Sequence, residues 1–231
     1  MWQNKRSDTQ EILDLGPQYY SQNEYGRCLS LLNRINWILG GFKATQRALK
    51  GLSKTPDSVL EVGCGGGYLC RRLHHWLPKG KIVGIDISQQ AIDHAKKYLP
   101  QQYRGKISFQ AQKSKTLDYP DNHFDIVTTM LVCHHMTDDE MVAFLKESYR
   151  VCSQAVIMND LHRHILAYLS FSLVTPILFP SRLIWNDGRL SVRRSFRKND
   201  WFTLLEKAGF KKNQFTLKWH WAFRWTLTIT K

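Results

Sequence analysis

The chain has 231 residues, 43% of them hydrophobic, which is enough to bury the core of one domain with an elaborated cap. Its formal net charge of +14 favours an anionic partner, either nucleic acid, an acidic protein or an anionic membrane surface. Five cysteines without a C-x-x-C pair indicate neither a disulfide framework nor a cysteine zinc site. We expect a cytoplasmic protein, because the sequence has no signal-peptide core and no apolar run of about 18 residues.

The first quarter of the chain has the apolar spacing of helices. Hydrophobic residues recur at helical intervals over 9–51, and Gly40 and Gly41 interrupt them. This pattern predicts a helical N-terminal extension over residues 1–52, with its glycine break near a ligand cleft. The remaining residues, 53–231, are expected to form the main domain.

A glycine-rich turn follows the first predicted strand, at 57–62. The segment reads Ser58-Val-Leu-Glu-Val-Gly-Cys-Gly-Gly-Gly-Tyr68 and leads into a predicted helix over 67–77. A second strand over 81–86 ends at the carboxylate of Asp86. Glycines let the backbone approach a ligand closely, and a carboxylate at the tip of the second strand can accept ribose hydroxyls. The pattern therefore predicts a site for a ligand that contains adenosine.

The glycine spacing bears on which adenosine ligand is bound. Gly63, Gly65 and Gly67 read G-x-G-x-G, and Tyr68 stands where the dinucleotide fingerprint has its third glycine. The acid Glu61 precedes them, and the whole pattern resembles motif I of class I S-adenosylmethionine (SAM) methyltransferases. That resemblance implies that Glu61 helps to orient the ammonium of the cofactor. Binding of an NAD-type cofactor stays the alternative.

Strands and helices alternate through the rest of the main domain. The predicted elements are a helix capped by Ser88, strands at 106–111, 124–131 and 155–158, helices at 137–150 and 198–209, and a hairpin over 213–230. The helix at 137–150 begins with a capping box of Thr137 and Glu140. This order predicts an α/β fold with a mostly parallel sheet and one reversed strand.

Several further segments extend the resemblance to the whole chain. They are Leu117-Asp-Tyr-Pro-Asp-Asn-His-Phe-Asp125, His134-His-Met136, Leu32–Gly41, Asn159–His164 and Asn186–Phe196. The chain resembles class I SAM methyltransferases of the ubiquinone/menaquinone-methylase type, and within them a bacterial subgroup found beside type III polyketide synthases. The resemblance implies a Rossmann-like seven-stranded methyltransferase sheet with an antiparallel last strand and a cap inserted after strand five. SAM would be the cofactor and S-adenosylhomocysteine the product.

The same resemblance implies the cofactor contacts. They fall on Glu61, Gly63, Cys64, Gly65, Gly67, Asp86, Ile87, Gln112 and Leu131. The superfamily often has an acid after strand three that binds the adenine amine, whereas this chain has Gln112 and Lys113 there. We expect the amide of Gln112 to take the place of that acid.

A base for the acceptor should come from the carboxyl ends of strands four and five, beside the cofactor. His162, oriented by Asp160, is the first candidate, and His135 of the His134-His135 pair is the second. The alternatives are that Asp160 caps a helix, that His162 is a solvated loop residue and that one of the paired histidines is a core residue. No metal is expected, because a catechol-type magnesium site would need an acid where strand four ends in histidines.

Residues 161–197 are too long for a plain connection between a strand and a helix. The segment is strongly apolar over 165–180, and basic residues follow it: Arg182, Arg189, Arg193, Arg194, Arg197 and Lys198. We expect this segment to form a lid over an apolar acceptor pocket. The lid would also suit contact with the inner face of an anionic membrane. The alternative is a pair of helices packed on the core with a solvated basic face.

These features together predict an enzyme that methylates a hydroxyl of a small lipophilic phenol, resorcinol or quinol, as in quinone or polyketide biosynthesis. C-methylation of the same substrate class is an alternative. A nucleic-acid methylase is a weaker alternative, since the turn over 131–135 lacks the Pro-Pro-aromatic motif that binds a flipped base. A SAM-binding protein without catalytic activity is the remaining alternative.

Overall fold

The computed structural model describes residues 5–112, 114 and 116–231, and it contains one seven-stranded sheet. The strands are β1 Ser58–Val62, β2 Lys81–Asp86, β3 Ile107–Ala111, β4 Phe124–Met130, β5 Cys152–Leu161, β6 Phe215–His220 and β7 Arg224–Thr230. Their spatial order is β3-β2-β1-β4-β5-β7-β6. The pairs from β3 to β5 are parallel, and β7 is antiparallel to both of its neighbours. This topology confirms the predicted sheet with its reversed last strand.

The order of the sheet reverses between β1 and β4. In an open α/β sheet, ligands bind at such a point, outside the carboxyl ends of the strands. Val62 is paired with Ile85 on one side and with Thr129 on the other, so the ends of β1, β2 and β4 lie at one edge. That edge carries the glycine-rich turn.

The helices are α1 Ile12–Leu15, α2 Gln22–Ile38, α3 Gly41–Lys50, α4 Tyr68–Trp76, α5 Gln89–Lys97, α6 Asp138–Val151, α7 Ile165–Leu178, α8 Arg182–Arg194 and α9 Lys198–Lys207. Ser88 caps α5 by accepting a hydrogen bond from Ala91 N at 3.2 Å, and Thr137 forms the expected capping box of α6. Strand β5 is longer than the predicted 155–158. Its polar ends are not loops, because β4 and β7 pair with them on both sides.

The two faces of the sheet carry separate cores, because successive side chains of a strand point to opposite faces. Leu60 and Val127 face α6 and α9, in a cluster that includes the fully buried Trp201. Val59 and Ile126 face α3, α4 and α5. Both faces are covered, as the near-continuous apolar strands predict.

The N-terminal extension and the insert after β5 pack against each other. Leu29 of α2 belongs to one buried cluster with Phe179 and Leu183 of the insert. The carboxylate of Asp187 in α8 accepts hydrogen bonds from the backbone N–H groups of Ile12 and Leu13, at 2.9 and 3.2 Å. The insert is thus a pair of helices. Among the described helices, none is both long and apolar enough to cross a membrane.

Candidate functional site

The glycine-rich turn connects β1 to α4 with its backbone in a left-handed conformation. Gly63, Gly65 and Gly67 have φ values of 71°, 50° and 68°, which other residues adopt only with strain. A side chain at Gly63 would collide with Val132, and one at Gly67 would lie 2.5 Å from the ring of Phe109. A side chain at Gly65 would meet no clash, because its nearest neighbour, Leu29, would lie 3.6 Å away in ordinary van der Waals contact. The neighbouring Cys64 is buried beneath the turn.

Asp86 at the end of β2 organises the turn. Its Oδ2 accepts a hydrogen bond from Gly65 N at 2.8 Å, and its Oδ1 accepts one from Ser88 N at 2.9 Å. Burial raises the pKa of this carboxyl, and the backbone donors oppose that effect. A carboxylate has about four acceptor sites, so Asp86 can also accept a hydrogen bond from a ligand hydroxyl.

Glu61 is the buried acid beneath the turn. Its side chain is 2% exposed, and its Oε2 has no hydrogen-bond partner. Burial, reinforced by the nearby charge of Asp86, raises the pKa of Glu61 to about 8. A buried acceptor without a partner destabilises a folded chain unless a ligand or water satisfies it, so this oxygen marks a binding position.

The other predicted contacts lie around the same edge. Ile87 is 75% exposed beside Asp86, an apolar surface of the kind that an adenine ring covers. The amide of Gln112 donates to the backbone oxygen of Thr116, and the proposed adenine contact stays a prediction. Lys113 lies outside the described residues. Leu131 has a φ of 61° and opens the turn after β4.

The structure pairs Asp160 with a different histidine from the one expected. Its Oδ1 lies 2.7 Å from His134 Nδ1, and its Oδ2 accepts a hydrogen bond from His134 N at 3.1 Å. Both side chains are buried. The predicted orientation of His162 by Asp160 is therefore wrong, because the end of β5 points this carboxylate at the turn after β4.

His162 lies on the other side of β5, against the terminal hairpin. Its Nδ1 accepts a hydrogen bond from Trp219 Nε1 at 3.2 Å, and its ring packs on Trp225. Burial and the charges of neighbouring cations lower the pKa of His162 to about 4. His162 lines a surface cavity of about 450 Å³ together with Arg163 and Arg197. Its lowered pKa argues against the role of base.

His135 is the more accessible member of the histidine pair. Its Nδ1 lies 2.8 Å from Asp14 Oδ1, and its side chain is 30% exposed. Burial lowers the pKa of His135, but the contact with Asp14 and the charge of Glu11 raise it more, so its net direction is upward. Glu11 is buried, its Oε2 lies 3.9 Å from His135 Nε2, and burial raises its pKa.

Arg194 ties the insert to this cluster. Its guanidinium donates to the backbone oxygens of His134 and His135, at 3.1 and 2.8 Å, and to Asp14 Oδ2 at 2.9 Å. The sequence analysis named Arg194 among the basic residues of the insert, and the structure shows that it is buried. Glu11 and Asp14 had no sequence signal, since they precede the histidines by more than 100 residues.

Asn159 has a structural role at the end of β5. Its amide donates to the backbone oxygen of Gly41 and to Thr45 Oγ1, both at 2.8 Å. Its Oδ1 accepts a hydrogen bond from the fully buried Arg224 at 3.1 Å. These contacts hold α3 and β7 beside β5, close to the cleft.

Residues 59–155 match the family model described as a methyltransferase domain. They contain β1 to β4, the glycine-rich turn and the histidine pair. This segment therefore resembles a methyltransferase domain. The match spans less than half of the chain, so the extension and the insert lie outside it.

Curated relatives are similar to part of the chain. An uncharacterized methyltransferase of Schizosaccharomyces pombe is 37% identical over 109 residues, which are 45% of this chain and 38% of the relative. The ubiquinone biosynthesis O-methyltransferase of Coxiella burnetii is 32% identical over 139 residues, which are 60% of this chain and 56% of the relative. The chain therefore spans less than two thirds of the length of these relatives.

Solved methyltransferase structures share the fold. A SAM-dependent methyltransferase from Aquifex aeolicus superposes with a TM-score of 0.66 and 16% identity, over 91% of this chain and 98% of that one. The plantazolicin methyltransferase BpumL, solved in complex with S-adenosylhomocysteine, has a TM-score of 0.65 and 17% identity, over 90% and 85%. These similarities extend the methyltransferase fold to nearly the whole chain.

The residues of the cleft fit the cofactor of such a domain. The absence of a side chain at Gly65 and the unpaired Oε2 of Glu61 suit its amino-acid end. The carboxylate of Asp86 suits the ribose hydroxyls, and the exposed side chain of Ile87 suits the adenine. These residues are therefore chemically compatible with the amino-acid end, the ribose and the adenine of SAM.

Proposed function

We propose that this protein transfers a methyl group from SAM to a hydroxyl of a small lipophilic phenol, resorcinol or quinol. The observation that carries the proposal is the position of a buried histidine–carboxylate cluster next to the cofactor turn. The two histidines follow Val132, whose side chain packs against Gly63. The similarity to a ubiquinone biosynthesis O-methyltransferase supports the substrate class.

SAM, when bound, supplies a methyl group already activated by the sulfonium. The chain has to bind it, align the acceptor oxygen and exclude water. Asp86 would hold the ribose hydroxyls of the cofactor, and Glu61 would hold its amino-acid end. A phenol reacts faster once its proton is removed, and its unperturbed pKa is about 10, as in tyrosine.

His135 is the proposed acceptor of that proton. Asp14 holds its Nδ1 at 2.8 Å, which leaves Nε2 as the nitrogen that can take a proton. A general base contributes about 10²–10⁴-fold to a rate, so His135→Ala should lower kcat by that order. His162→Ala should retain nearly full kcat, because its ring faces the hairpin. The reverse ranking of the two variants would refute this assignment.

The insert is the proposed lid of the acceptor pocket. The ring of Phe171 in α7 packs closely on Gly188 in α8, and Phe179 joins the buried cluster with α2. The insert and the extension thereby form one layer that starts beside the cofactor turn, where Leu29 lies 3.6 Å from the position of a side chain at Gly65. An acceptor under this layer would contact apolar side chains.

The outer surface of α7 is the proposed contact with an anionic membrane. Its side chains are exposed and apolar: Leu166, Leu169, Leu173, Val174, Ile177 and Leu178. An exposed apolar stripe on a strongly basic protein has the chemistry of a peripheral membrane contact. A lipophilic acceptor would then reach the pocket from the lipid.

Calorimetry of SAM and S-adenosylhomocysteine with the wild type, Asp86→Ala and an NADH control tests the cofactor. Micromolar affinity that falls at least tenfold in Asp86→Ala supports the proposal. Binding of NADH in place of SAM would refute it. Incubation of alkylated phenols, resorcinols and quinols with labelled SAM then identifies the acceptor, and the position of the label distinguishes O- from C-methylation. Transfer to RNA alone would refute the substrate class.

A further inference from the structure

Three side chains converge on a point beside the cofactor cleft. Glu11 Oε1 lies 3.6 Å from His134 Nε2, and Glu11 Oε2 lies 3.9 Å from His135 Nε2. One donor atom from each of the three residues lies within 4.8 Å of the other two. These two separations are too long for hydrogen bonds. They approach the spacing of two ligands that share an ion, about 3.3 Å at a tetrahedral ion with bonds of about 2.0 Å.

The far side of each imidazole is held by a carboxylate. Asp160 Oδ1 lies 2.7 Å from His134 Nδ1, and Asp14 Oδ1 lies 2.8 Å from His135 Nδ1. The hydrogen bond of Asp160 to His134 Nδ1 favours the tautomer whose Nε2 carries the lone pair, and metal-binding histidines are oriented in this way. The contact of Asp14 with His135 is an ion-pair distance. Ser191 Oγ in turn donates to Glu11 Oε1 at 2.8 Å. All three donors therefore have supporting groups of the type found around metal ions.

The charge of the cluster also favours a cation. Three carboxylates, of Glu11, Asp14 and Asp160, contact the two rings, and one guanidinium, of Arg194, contacts Asp14. The guanidinium of Arg6, which donates to the backbone oxygen of His134, compensates one further charge. With neutral histidines the group keeps a net negative charge, which is unfavourable when buried and which a cation would offset.

We propose that Glu11, His134 and His135 bind a divalent transition-metal ion, of the zinc type. Two imidazole nitrogens and one carboxylate oxygen are the donors of catalytic zinc sites, which keep a fourth position open. Glu11 and His134 are buried and His135 is partly exposed, so the open position lies on the side of His135. No sequence motif indicates this site, because Glu11 is separated from the histidines by more than 100 residues.

The ion would link two parts of the fold. Glu11 belongs to the N-terminal extension, and the histidines belong to the turn after β4. Binding would therefore fix the extension on the main domain beside the cofactor turn. In the open position, a hydroxyl oxygen of the acceptor would bind, and His135 would then act as a ligand instead of a base. Only the binding of the acceptor at the open position rests on the proposed function.

The test uses metal-free full-length protein without SAM or acceptor. Titration with Zn²⁺ by calorimetry, and with Co²⁺ by visible absorption, should give one ion per chain. Glu11→Gln keeps the size of the side chain and should abolish stoichiometric binding. Asp14→Asn should weaken binding by about 10–100-fold, as for other residues behind metal ligands. His162→Ala is the matched control, since this histidine lies outside the cluster, and it should bind like the wild type.

Binding with an unchanged affinity in a folded Glu11→Gln variant would overturn the proposal, as would the absence of stoichiometric binding in the wild type. Circular dichroism establishes that each variant is folded, and the Asp14→Asn titration provides a second comparison if Glu11→Gln does not fold. Because no SAM is present, a negative result leaves the proposed methyl transfer intact. Conversely, a protein that binds the ion but not SAM would refute only the proposed function.

Discussion

Replacement of Glu61 by glutamine tests the cofactor site through the stability of the ligand-free protein. The carboxyl is fully buried, its Oε2 has no partner, and its pKa is raised to about 8 from the ordinary value of 4.5. The folded chain therefore keeps a proton that the unfolded chain has released. Stability from this group is complete below about pH 4.5 and is lost as the pH rises towards 8.

The magnitude follows from the two pKa values. Each pH unit within that window removes about 1.4 kcal/mol, so the full loss is about 5 kcal/mol. Glutamine cannot ionise, and Glu61→Gln should avoid this loss. For a chain of this size about 1 kcal/mol corresponds to about 2–4 °C in Tm, so the variant should gain at least about 10 °C on the wild type between pH 4.5 and pH 8.

Thermal unfolding of both proteins over this pH range provides the measurement, with exposed Glu206→Gln as the control that should follow the wild type. All other titrating groups are common to the pair, so the difference in Tm isolates Glu61. A difference that stays constant between pH 5 and pH 8 would refute the reasoning. Calorimetry at pH 7 adds a second readout. The ammonium of S-adenosylhomocysteine favours the ionised form of Glu61, so binding should release a proton from the wild type but not from the variant.

Three further outcomes are expected. Gly65→Ala and Gly40→Ala both place a side chain at positive φ and should each cost about 1 kcal/mol in urea unfolding, but only Gly65→Ala should abolish SAM binding in calorimetry. Arg194→Lys should speed proteolysis of the N-terminal extension, because one ammonium cannot replace the contacts of the guanidinium. Far-ultraviolet circular dichroism should stay unchanged, and cleavage rates equal to those of the wild type would contradict this prediction. Ile177→Glu should weaken sedimentation with anionic vesicles, whereas Trp221→Glu, an exposed change on the hairpin, should not; equal losses would exclude α7 as the contact.

The cofactor half of the site could be predicted from local sequence. The three glycines Gly63, Gly65 and Gly67 predict a turn with positive φ, which the structure has. The position of Asp86 is predicted by the end of the next strand. Parallel strands with helical crossovers then bring both segments to one edge of the sheet, since right-handed crossovers leave few other topologies. The boundaries of β5 were less accurate, because pairing with β7 extends a strand beyond its apolar residues.

The acceptor half could not be predicted in the same way. Asp160 and His162 are close in sequence, but β5 ends at Leu161 between them. Asp160 contacts His134 in the turn after β4, whereas His162 contacts Trp219 of the hairpin. Spacing along the chain carried no information on this choice. The longer segment 165–180 is strongly apolar, but this pattern does not predict whether the segment packs on α2 or faces a lipid.

The sequence alone thus determined the class of sheet and the cofactor turn, because backbone conformation and strand periodicity are local properties. Only the tertiary structure decided which ionisable groups meet. Glu11 and Asp14 reach the two histidines across more than 100 residues, and Arg194 joins them from the other direction. Such contacts depend on how the extension and the insert pack over the sheet, and that packing is fixed by apolar burial that no single segment encodes.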